Sequence, residues 1–135
     1  MKFTTGHYSA RVPNRLDITR AGCDRLIAAD KEAPGIILAP SARLVFPTLR
    51  RLKAARSLAE RKSIFAAYAV DYLAEVGQSA ERWPYKVDFI LAMPEPTLVC
   101  FCRPDEEDGV IRCHRMLAAG YLARLGATYC GEVNG

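Results

Sequence analysis

A chain of 135 residues, half of them apolar and a quarter charged, has the size of one ordinary domain and can bury a core without disulfides, which excludes disorder, collagen and coiled coil. Its 19 basic against 15 acidic side chains leave a net charge of +4, a surplus that favours anionic partners, small molecule or nucleic acid, without requiring either. Five cysteines without regular spacing exclude a fully paired secreted scaffold and point to a reducing cytoplasm.

The start, "MKFTTGHYS", carries no apolar run of signal-peptide length, and no later run is long enough for a bilayer, so no membrane segment is expected. No repeat and no simple-sequence stretch divides the chain. Up to about Ser41 it is punctuated by glycine and proline, with β-prone pieces at "KFTT", "RLDIT" and "GIIL", which read as strands and loops. Ser57 and Glu60 then form a capping box. Leu58, Phe65, Tyr68, Tyr72 and Val76 follow at helical spacing, with Gly77 as a left-handed stop. A second helix is expected from about Ser79 to Ala92, with Pro84 in its first turn or at a kink.

"TLVCFC" is a short continuous apolar run, as in a strand buried on both faces. "CHRMLAAGYLARLG" places Leu117, Tyr121 and Leu125 at helical intervals and closes on Gly126; "ATYCGE" follows as a strand. Strands joined by a crossover helix are parallel and right-handed. The chain therefore reads as a single α/β domain: a mainly parallel sheet, helices on both faces, and a C-terminal strand-loop-helix-strand unit. Ligands in such sheets collect at the carboxyl ends of the strands.

That edge coincides with "CFCRPDEEDGVIRCHR", residues 100–115. In a strand Leu98, Cys100 and Cys102 share a face, while Cys113, His114 and Arg115 start a helix, where backbone N–H groups and the dipole favour negative charge. An anion pocket follows, with Arg115 or Arg103 as clamp, Cys113 or Cys100 as nucleophile and His114 as proton shuttle. Strand-end logic brings His7 and Arg11 of "GHYSAR" toward the same pocket.

Plainer roles compete. Cys100 can be core packing, Arg115 can pair with a carboxylate, and His114 can donate to a carbonyl. The acidic run Asp105 to Asp108 reads as a solvated loop turning at Gly109. Its carboxylates repel a phosphate unless magnesium or the arginines intervene. Spacing argues against zinc, since one residue separates Cys100 from Cys102 and Cys113 abuts His114, although a Cys100, Cys102, Cys113 cage is conceivable. No metal or cofactor is assigned. Six basic side chains in "RRLKAARSLAERK" put Arg50, Lys53, Ser57 and Arg61 on one stripe if the helix is continuous.

"LVCFC" and "CHRMLAAGYLARLGATYCGE", with "FTTGHYSAR" and "LAPS" upstream, resemble the domain of unknown function 488 family. Its members show an apolar strand ending in cysteine and a Cys-His-Arg triplet opening a helix. The resemblance singles out Cys100, Cys113, His114 and Arg115. Cys102 falls where relatives often carry an acid, and Tyr8 interrupts the Gly-His-Ser of one branch. The family has no settled activity, so the resemblance implies a location. The expected function is a cysteine-dependent enzyme acting on a nucleotide, nucleic acid or other phosphorylated compound. The alternative is a non-catalytic module that binds such a ligand, or a partner protein, through the same pocket and the basic helix face.

Overall fold

The computed structural model describes residues 1–133. Among these residues four strands, β1 (Lys2–His7), β2 (Arg15–Asp17), β3 (Thr97–Cys100) and β4 (Thr128–Val133), form one all-parallel sheet in the order β2-β3-β1-β4. The helices are α1 (Arg20–Ala28), α2 (Ala42–Ala54), α3 (Leu58–Arg82), α4 (Pro84–Leu91) and α5 (His114–Arg124). This is the expected α/β class. α5 crosses over β1 to deliver β4 to the far edge, so β3 and β4 are not neighbours. Among the described residues no helix is long and apolar enough to cross a membrane.

Period-two alternation turns Leu16, Leu98 and Cys100 into the main core, where they meet Tyr68, Tyr72 and Val76 of α3. At the start of α3 Ser57 Oγ accepts from the Glu60 N–H at 3.1 Å, as in a capping box, while the Glu60 carboxylate reaches one residue beyond the N-cap and accepts from the Arg56 N–H at 2.9 Å. That cap starts a separate helix after α2 and removes the single basic stripe expected across residues 50–62. Gly77 does not end α3, which runs on to Arg82. The break falls at Trp83 (φ −131°, ψ 65°), because the ring of Pro84 disfavours helical geometry in the residue before it, and Pro84 then opens α4.

"GIIL" is not a strand. Pro34–Leu38 form a 3₁₀ turn packed on β2, and a Cβ on Gly35 would lie 2.1 Å from the Asp17 carbonyl oxygen. Such close backbone approach admits only glycine. On α5 the buried face is Ala118, Ala119 and Leu122, whereas Leu125, expected inside, is exposed. Alanine lets the helix lie close on the sheet, Leu117 and Tyr121 are partly buried against the core, and Leu125 lies past the last turn as the C-cap.

Candidate functional site

β3 ends at Cys100, and the chain bends at Phe101 so that Cys102 comes back beside it; Cys113 is the N-cap of α5. The three sulfurs lie within 4.8 Å of one another, with Cys100 Sγ 2.8 Å from Cys113 Sγ. Cys100 and Cys113 are buried and Cys102 is half-buried.

Arg115, in the first turn of α5, is fully buried behind them. Nη1 donates to Cys100 Sγ at 3.1 Å and to the Cys102 carbonyl at 2.6 Å, while Nε and Nη2 donate to the Glu132 carboxylate at 3.1 and 2.6 Å. Glu132 can reach it because β4 is bulged: Phe3 pairs with Tyr129 but Thr5 pairs with Glu132, so an extra residue enters, with Gly131 at φ +105°. The insertion puts Tyr129 and Glu132 on one face, where both hydrogen-bond to Thr5 Oγ1. In unbroken alternation residues three apart face opposite ways.

These partners distribute the protons among the sulfurs. Hydrogen bonds from Cys102 and Cys113, reinforced by Arg115, hold the Cys100 thiol far below its ordinary range against the opposing effect of burial. Cys102, bonded to Cys100, is pushed up to about 11, and burial pushes Cys113 up. The buried guanidinium of Arg115 thus favours one negative charge within the three-sulfur cluster, on the Cys100 side. His114 Nε2 lies 2.8 Å from the Ile18 carbonyl, an acceptor only, so that nitrogen carries the hydrogen. Nδ1 presents its lone pair 3.5 Å from Cys113 Sγ, and burial holds the imidazole pKa down.

Two hollows reach the cluster. A cleft of about 170 Å³ beside α2, lined by Arg20, Val45, Phe46, Leu49 and Phe101, ends on Cys102 and His114. Beyond them a chamber of about 20 Å³, lined by Cys102, Cys113, His114, Arg112 and Tyr68, has room for one water molecule. Tyr68 is buried, and its hydroxyl has no hydrogen-bond partner among the described residues.

The structure thus brings together Cys100, Cys113, His114 and Arg115. Arg103 and Arg11 are exposed and line neither hollow. His7 turns aside: Nδ1 accepts from the Ser9 N–H at 3.1 Å, which leaves Nε2 to donate to the Phe101 carbonyl at 3.1 Å. The acidic loop is stapled down, with Arg61 bonded to Asp105 and Glu107 and Arg112 to Asp105 and Asp108. The repulsion expected from that loop is neutralised in this way. Sequence reasoning missed Glu132 and Tyr68 as site residues. An acid within the C-terminal strand was the one hint for the first, and Tyr68 is indistinguishable from a core position by spacing. No family model, no curated protein and no solved structure matches the chain.

Proposed function

We propose that the protein is a cysteine-dependent enzyme in which the Cys100–Cys113 pair holds one nucleophilic thiolate, Cys113 is the member that faces the chamber, and His114 serves the later proton transfer. The observation that carries this reading is the placement of Cys113 Sγ between two proton acceptors, Cys100 Sγ at 2.8 Å and His114 Nδ1 at 3.5 Å, on the wall of the chamber. A thiolate stabilised by a neighbouring cation is an activated nucleophile, and Arg115, which donates to Cys100 Sγ at 3.1 Å, is the cation of this pair. The likeness of the Cys-His-Arg triplet to the domain of unknown function 488 family supports the same location.

The substrate class is a small molecule with an apolar body and an anionic end, a nucleotide or other phosphorylated compound among them. The apolar body suits Val45, Phe46, Leu49 and Phe101, and Arg20 is the cation on that wall. Arg115, engaged by Glu132 and Cys100, supports the sulfur in place of clamping the anion.

Methyl methanethiosulfonate, which transfers only a methylthio group, tests the nucleophile in chelator-treated Cys102→Ser protein, with each cysteine followed by peptide mass spectrometry. Cys113 is expected to react faster than the exposed Cys130, and Arg115→Met is expected to abolish that advantage. Complete modification of Cys130 while Cys113 stays intact overturns the enzyme reading and leaves the binding module.

A further inference from the structure

The three sulfurs come from three different backbone settings: a strand end, a bend and a helix N-cap. Zinc held by thiolates at about 2.3 Å in a tetrahedron sets neighbouring sulfurs roughly 3.8 Å apart. All three sulfurs already lie within 4.8 Å of one another, and the Cys100–Cys113 pair, at 2.8 Å, opens by about 1 Å as its S–H···S contact is replaced by metal bonds. Spacing along the sequence argued against zinc on two grounds, the single residue between Cys100 and Cys102 and the abutment of Cys113 and His114. The bend at Phe101 removes the first by bringing Cys102 back beside Cys100, and the cage of three sulfurs does not need His114 as a ligand.

Charge and hydrogen bonding agree. Three thiolates around a divalent ion leave one negative charge, and the buried guanidinium of Arg115 already donates to Cys100 Sγ at 3.1 Å. Hydrogen-bond donors to a ligating sulfur are the outer contacts that fix and tune such centres. The chamber supplies the fourth position. It is water-sized, it borders Cys102 and Cys113, and its wall includes Tyr68, whose buried hydroxyl lacks a partner among the described residues. A metal-bound water there satisfies that hydroxyl, with His114 Nδ1 beside it. Three protein ligands and one open position is the pattern of a reactive zinc centre; purely structural centres are closed.

We infer that Cys100, Cys102 and Cys113 bind one zinc-class ion whose fourth position opens on the chamber beside Tyr68. This rests on the same sulfurs as the proposed enzyme and assigns it a control: a loaded site has no free Cys113 thiol, so metal and electrophile exclude each other.

Titration of the reduced chain with Co²⁺ tests this. One equivalent is expected to produce a sulfur-to-cobalt charge-transfer band that Zn²⁺ displaces. Cys102→Ser, at the half-buried rim, is expected to lose about a third of the band and to bind at least roughly tenfold more weakly, whereas Cys23→Ser and Cys130→Ser keep both. Tyr68→Phe is expected to keep the stoichiometry and the sulfur band while lowering affinity. Zn²⁺ is expected to protect Cys113 from methylthiolation. The inference is overturned by absence of the band, by a full band in Cys102→Ser, or by undiminished Cys113 labelling with Zn²⁺ present. Labelling of metal-free protein reports separately on the nucleophile, so either proposal can fail while the other stands.

Discussion

Cys23 and Cys100 are both fully buried, yet their surroundings drive them in opposite directions. Cys23 donates to the Asp17 carbonyl at 3.3 Å, and burial, with the Asp17 charge behind it, pushes its thiol up to about 12. Cys100 faces N–H and S–H donors and is held low. Depth alone therefore does not make a sulfur inert; the sign of the neighbouring dipoles decides. At pH 8 Cys23 stays a neutral thiol, and it is expected to resist alkylation in native protein and to react fully once denaturant unfolds it. Mass spectrometry of pulse-labelled protein reads this directly, and rapid native labelling of Cys23 would contradict the packing described.

At the scale of elements, the loop between β3 and α5 is held to α3 by charge. Asp105 and Asp108 carry carboxyl pKa values lowered by hydrogen bonds from Arg61 and Arg112 respectively, that of Asp108 to about 2. A folded value below the unfolded one contributes stability that is present above about pH 4 and is lost as pH falls toward 2. Arg61→Ala is expected to lower Tm by roughly 2–4 °C near neutrality. The gap to the unaltered protein should narrow as pH falls below about 4 and Asp105 protonates, as measured by thermal melts across the acid range. Sequence reading found the acidic run and the basic run but not that each is the other's partner, since residues 44 apart in the chain share no local pattern. What was legible is what local pattern encodes: β1, β2, β3, β4, the capped start of α3, and α5 opening on His114. Its failures follow the same rule. A four-residue apolar run does not distinguish the 3₁₀ turn at Pro34–Leu38 from a strand, and Gly77 ends a helix only where packing does not carry the helix onward.

Across the whole molecule, the site is assembled from elements far apart in sequence. β3 supplies Cys100, α5 supplies Arg115, and the edge strand β4 supplies Glu132 through a bulge that no composition rule announces. The edge strand thus does more than complete the sheet: its carboxylate compensates a guanidinium that is 0% exposed, and so keeps that guanidinium in place behind the sulfurs. Removing one partner of a buried pair typically costs about 3–5 kcal/mol. Because the Glu132 side chain is 26% exposed, Glu132→Gln is expected to destabilise by roughly 2–3 kcal/mol in urea unfolding. Arg115→Met should cost a comparable amount. The double variant should recover part of the loss, because an apolar side chain needs no compensating charge, and the cycle then yields a coupling of about 1–3 kcal/mol. Glu132→Gln should also slow methylthiolation of Cys113, since an unanchored Arg115 no longer stabilises the thiolate that the Cys100–Cys113 pair shares. Additive losses together with an unchanged Cys113 rate would show that β4 serves the sheet alone.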